Sequence, residues 1–324
     1  MALRSTALAG VLLIVSSSSA AAQSFDFQRS FPAGPVVTID VTTIRGKITV
    51  RTGATEDQIR VSGEATVRTG FNVPMNARDL ARATADKPPI EDNGAVIRIR
   101  PPSDPMVRAS VTVAYEIEVP ARATVLAVTD SGAVNITHIG GAVTVRTTSA
   151  AISLADLGGP VTVDTGSGDV SLASIRKLVS VTTKSSRILG QGLAGGLTAR
   201  TGSGQVKATF TGPGDVEVHT QSSAIDLLGV DGGLRVVSGS GQVTVSGAPR
   251  AAWSVTTTSS AIEISFSGDA SATVDASSQS SSVKADAGLI EGTPGPRRVS
   301  GKLNGGGPAV TVTSRSGAIT LRGR

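Results

Sequence analysis

The chain has 324 residues, no cysteine, one tryptophan, one tyrosine and six phenylalanines, and a formal net charge of +5. The absence of thiols excludes disulfide staples and thiolate metal sites, so stability must come from a core of Val, Ile, Leu and Ala. The basic residues are scattered, with no Lys/Arg run interleaved with aromatic rings, which argues against nucleic-acid binding.

Residues 1–22 read as a secretory signal peptide. Arg4 supplies a positive start, residues 7–15 form an apolar run too short to span a membrane, and Ala20, Ala21 and Ala22 fit the small-residue cleavage rule. The mature chain is expected to begin at Gln23. Cleavage removes Arg4 and no acidic residue, taking +5 to +4. No other stretch is long and apolar enough to be a transmembrane segment, and no cysteine is present to carry a lipid anchor.

Residues 23–120 are expected to form an irregular N-terminal β cap. Alternation and β-branching predict strands over 36–41, 47–51, 58–67, 96–100 and 111–119, and residues 75–85 suit one short helix. Pro74, Pro88, Pro89, Pro101 and Pro102 bound the loops.

Residues 121–324 repeat. The anchors Val134, Ile152, Val170, Ile188, Val206, Ile225, Val243, Ile262, Val283 and Ile319 mostly step by 18 or 19 residues. Three before each stands a serine: Ser131, Ser149, Ser167, Ser185, Ser203, Ser222, Ser240, Ser259, Ser280 and Ser316. Positions nine and seven before the anchor are apolar, as in Val143 and Val145, and the position five before it is always Thr or Ser. Such a period marks a solenoid, because each unit buries its apolar face only against its neighbours. Parity breaks between −3 and the anchor, and again before the next −9, so each unit is strand, turn, strand, turn. The expected fold is all-β, a parallel β-helix of about ten 18-residue, two-strand rungs. The serine and threonine columns are expected to form structural ladders in which each hydroxyl satisfies the next. Alternation of Gly with Ala or Ser at −2 admits a 36-residue coil, but every other column repeats at 18.

Residues 287–307, with Pro294, Pro296 and a Gly305–Gly307 run, are expected to form a loop insertion or a loosened rung. The last strand carries Arg315, Arg322 and Arg324, charges that would discourage edge-to-edge pairing if it ends the sheet; the same edge could instead dock a partner strand.

The run Tyr115-Glu-Ile-Glu-Val-Pro120, units such as Val161-Thr-Val-Asp-Thr-Gly-Ser-Gly-Asp-Val170, and the ending from Gly305 to Ile319 together resemble the bacterial "putative adhesin" domain-of-unknown-function family of exported β-helical proteins. The likeness runs from about Phe25 to Leu321. It implies an exported β-helix and carries over no functional residue.

Candidate chemistry is sparse. His138 and His219 lie several rungs apart, so neither a Ser-His-Asp site nor a histidine metal site is expected. A calcium repeat would need an acid in each unit, yet Ala133, Ala151, Arg187 and Gln205 occupy the place of Asp169. No cofactor is expected. The outward −6 column holds Arg146, Asp164, Arg200 and His219, the candidate binding stripe. Asp164 between arginines suggests cross-strand ion pairs rather than a glycosidase carboxylate pair. The expectation is a non-catalytic exported adhesin-like binding module, in the periplasm or on the cell surface, whose partner is a surface glycan or an envelope protein. A periplasmic structural or sensory protein ranks second and a glycan-active β-helix enzyme third.

Overall fold

The computed structural model describes residues 24–69 and 74–323. The expected signal peptide lies outside these. Its strands form two facing sheets. A leading sheet of fifteen strands takes the first strand of each coil, and a trailing sheet of fourteen takes the second. Val143 stands opposite Val161 in one, and Ile152 opposite Val170 in the other, all in parallel register. The coil is therefore 18 residues and two strands.

The inward columns make the core. Val143, Val145, Ile152 and Leu154 are each at most 2% exposed. Facing sheets stand about 10 Å apart, which suits branched aliphatic side chains. Burial of each contributes roughly 1.5–3 kcal/mol. Trp253 is the largest buried residue; it stacks on Phe266 with centroids 6.2 Å apart, and its indole N–H donates to the Gly232 carbonyl at 2.8 Å.

The turn after the leading strand carries the serine column and is called here the serine turn. The other, the return turn, opens with a bulge. His138, Asp156, Ser174 and Gly192 occupy the same place in successive coils with φ of 61°, 55°, 54° and 65°. This left-handed residue reverses parity, so Ile139, Leu157, Ile175 and Leu193 point back into the core.

Both ends depart from simple stacking. A regular coil, Thr38–Thr43 followed by Ile48–Thr52, lies within the expected cap. Ile39, Val41, Thr43, Ile48 and Val50 fit every inward column, but Arg45 replaces the serine. Later strands flank it: Val96–Ile99 and Val111–Val119 on one side, Thr124–Thr129 and Val134–Thr137 on the other. The antiparallel strands Gln58–Val67 and Ser24–Pro32 then close the trailing sheet. Helix α1 (Ala77–Asp86) packs Ala81 and Ala85 into the core cluster. Helix α2 (Pro105–Ser110), which sequence reading missed, is capped by the Asp104 carboxylate accepting from the Met106 N–H at 2.8 Å.

At the other end residues 287–307 are not simply a loop. They contain strands Glu291–Pro294 and Arg298–Leu303, the second antiparallel to Ala272–Ser278. The final coil, Ala309–Ser314 and Ile319–Gly323, is not an edge either. It lies between the coil of Trp253–Thr257 and Ile262–Phe266 and the coil of Ala272–Ser278 and Val283–Ala285. An antiparallel strand ends parallel stacking, so the chain returns to fill the slot left one coil earlier. Arg315 and Arg322 therefore flank an internal strand and protect no edge.

Candidate binding surface

The side chains at −8 and −6 of each leading strand alternate outward from the core residues and line one flat face. Strand register sets Arg146 beside Asp164, Asp164 beside Thr182, Thr182 beside Arg200, and Arg200 beside His219. The sequence-derived stripe is thus one physical row across consecutive coils. Arg146, Asp164 and Arg200 are exposed and His219 is half-buried.

The expected ion pairs within that row do not form. Asp164 has no cationic partner within salt-bridge distance among the described residues. Glu217, two residues before His219 on the same face, organises the cluster instead. Its Oε1 lies 2.8 Å from His219 Nε2 and 3.6 Å from Arg200 Nη2. Glu217 and Arg235 face each other in register. Reading the −6 column alone passes over them; counting −8 and −6 as one face would have found them.

Two shallow troughs flank this cluster. One is lined by Thr182, Arg200, His219, Thr220 and Gln221. The other runs past Thr198, Glu217 and Arg235 to Leu178, whose side chain is half exposed.

The ten column serines lie at the serine turn with their side chains exposed. Their backbone N–H groups bind the neighbouring coil, as in Ser167 N–H to Thr148 O at 3.0 Å and Ser259 N–H to Gly239 O at 3.0 Å. Their hydroxyls do not form the expected ladder; among them Ser149 Oγ reaches a protein acceptor, Asp130 O, at 3.4 Å. The serine column is a ridge of hydroxyls facing solvent. Buried hydroxyls occupy most of the −5 column and also Ser186, Ser223 and Ser260 of the −2 column, and most of those at −5 cap their own turn. Thr129, Thr201 and Ser314 accept the N–H of Gly132, Gly204 and Gly317 at 3.1, 3.0 and 2.8 Å. Thr165 Oγ1 and Thr220 Oγ1 are buried without a partner among the described residues.

The two histidines stay apart. His138 sits in the return-turn bulge with Nε2 3.4 Å from Asp156 Oδ2, both exposed. In that column the order is His138, Asp156, Ser174. The carboxylate is the middle member, whereas a hydrolytic triad places the imidazole there. Among the described residues no cluster of three or more His, Asp or Glu could hold a metal ion, and no helix is long and apolar enough to cross a membrane.

Fold and surface together define a capped two-sheet β-solenoid with a polar leading-sheet face and a serine ridge. The Toastrack DUF4097 family model matches residues 124–322, and the chain belongs to this family. Among solved structures, a putative cell adhesion protein from Clostridium sporogenes shares 10% identity at a TM-score of 0.21, covering 93% of this chain and 100% of the other. A putative adhesin from Parabacteroides merdae shares 9% at a TM-score of 0.29, covering 92% and 96%. One from Bacteroides fragilis shares 12% at 0.27, covering 93% and 97%. No curated protein matches the chain.

Proposed function

We propose that the protein is a non-catalytic, exported, adhesin-like binding module of the bacterial cell envelope, which presents its leading-sheet face to a surface glycan or an envelope protein. The observation that carries this reading is the flat face itself. Arg146 and Asp164 stand on it without ion-pair partners, and the Arg200–Glu217–His219 cluster sits between two shallow troughs. Convergent polar groups on a rigid sheet suit recognition by contact. Co-sedimentation of the purified mature chain with isolated cell envelopes tests it. Binding should fall about tenfold in the Arg146→Ala/Arg200→Ala variant, the loss of roughly 1.4 kcal/mol. Envelope binding unchanged by that variant would contradict the assignment of the face.

A second reading, a periplasmic structural or sensory protein that docks an envelope protein by strand addition, draws on strand Ser24–Pro32. It is a nine-residue terminal strand. The Ala33 N–H donates to Asp57 O at 2.7 Å, which sets the pairing parity. Asp26, Gln28 and Ser30 then turn their backbone groups to the free edge. Arg29 partly covers it, donating to Gln28 O at 2.8 Å and to Asp86 O at 2.7 Å. That guard favours the face over the edge.

A further inference from the structure

Charge is distributed unevenly around the rod. The serine-turn edge carries Arg45, Lys47, Lys184, Arg187, Arg297 and Arg315, all exposed, against Asp130 and Asp169. Of these cations only Arg187 has a carboxylate partner, Asp169, among the described residues. The return-turn edge is nearly balanced: Asp156, Asp215, Asp231 and Asp269 lie along it with Arg176, Lys177 and Arg250, the last held between Asp231 and Asp269 at 2.9 and 2.5 Å. The small positive charge of the mature chain is thus concentrated on one edge, and most of it is not neutralised by ion pairs.

The same edge bears the serine ridge, and Arg146 and Arg200 stand in the outward column next to it. Coils repeat at about 4.8 Å, so hydroxyls and cations are spread along some 50 Å of rod. Groups set in line engage an extended polymer; a compact ligand needs groups that converge.

We infer that the serine-turn edge, with the adjoining Arg146 and Arg200, binds a linear anionic polysaccharide along the rod axis. This inference rests on the binding-module reading and names the ligand class. Cations engage the acidic groups of the polymer, and the serine hydroxyls exchange hydrogen bonds with its sugar hydroxyls. A single-stranded nucleic acid is also a linear polyanion, but its binding relies on aromatic platforms for the bases. Trp253, Tyr115, Phe27, Phe210 and Phe266 are buried, so none of them can serve as one.

The test is titration of the mature chain with alginate oligomers as a linear polyuronate, with neutral dextran and single-stranded DNA alongside, at low and physiological salt. The variant Lys184→Ser/Arg315→Ser removes edge charge. Arg176→Ser/Lys177→Ser removes the same charge from the return turn. All four side chains are exposed, and circular dichroism verifies folding. Alginate should bind, more weakly as salt rises, and dextran should not. The edge variant should lose about tenfold in affinity at low salt, with the return-turn variant within about twofold of the parent. Absence of alginate binding, equal losses in both variants, or equal affinity for DNA would overturn the inference. Envelope co-sedimentation that persists without alginate binding sinks only this inference; absence of envelope binding sinks the reading beneath it.

Discussion

A hydroxyl can be placed in a column by sequence, but its partner is chosen by distance. In-register rungs stand about 4.8 Å apart, whereas hydroxyl hydrogen bonds need about 2.7–2.8 Å. A uniform ladder is therefore rare here, seen where Thr43 meets Thr129 at 3.0 Å and where Thr257 meets Ser314 at 3.1 Å. Elsewhere the −5 hydroxyl takes the nearer N–H of its own turn. The glycines at −2 answer to a closer approach. A Cβ on Gly204 would lie 1.6 Å from the Ser186 carbonyl oxygen, and one on Gly317 1.6 Å from that of Ser260. The backbones of successive turns leave no room for it. Tyr115, the only tyrosine, is 3% exposed and meets Phe27 edge-on at 5.9 Å. Burial pushes its phenol above the ordinary value. A raised folded pKa means the neutral form stabilises the fold fully below about pH 10. Above that the unfolded chain alone releases the proton, and stability falls by about 1.4 kcal/mol per pH unit. Phenolate absorbance should therefore appear only with unfolding, and Tyr115→Phe should flatten this alkaline loss. A phenol that titrates near pH 10 in the folded protein would contradict the burial.

At the scale of elements, the regular coils were legible and the chain order at the ends was not. Period and parity report how one coil faces its neighbour, and they say nothing about which neighbour it is. One trace was present. In sequence order the −2 column runs Ser260, Ser281, Gly317, which breaks the alternation of Gly with Ser; in spatial order it runs Ser260, Gly317, Ser281, which keeps it. The coil of residues 38–52 escaped because Arg45 stands where the serine was sought, although its apolar columns fit. Engineered disulfides test the strand order in a chain that has no cysteine of its own. Thr256 and Thr313 are register partners on the outer face, with hydroxyl oxygens 3.2 Å apart. A Thr256→Cys/Thr313→Cys pair should oxidise readily, since adjacent strands suit the 4.4–6.8 Å Cα spacing that disulfides accept. The pair Thr256→Cys/Ser277→Cys, two coils apart, should not. The reverse result would mean that coils stack in chain order.

For the whole molecule, the architecture follows from closing an open-ended stack twice. Antiparallel strands and α1 finish one end, and the antiparallel pair of residues 291–303 finishes the other. At the C-terminal end the short edges Val283–Ala285 and Glu291–Pro294 leave little for another rod to extend, and at the other end Arg29 partly covers the longer edge of Ser24–Pro32. What remains for recognition is the long side of the rod. The row of Arg146, Asp164, Arg200 and His219 could be read from the sequence because the −6 column is outward in every coil. Glu217 as its organiser, the serines as an open ridge and the concentration of free cations on one edge could not, since each depends on which columns adjoin around the coil. The proposed exported binding module would meet its partner outside the cytoplasm. Localisation in the native host tests that most directly. The protein, tagged at its C-terminus, is followed through fractionation and through protease treatment of intact cells. The account predicts recovery with the envelope and cleavage on intact cells. Protection until the outer membrane is opened would contradict the adhesin-like reading in favour of a periplasmic docking protein, and recovery in the cytoplasm would contradict both.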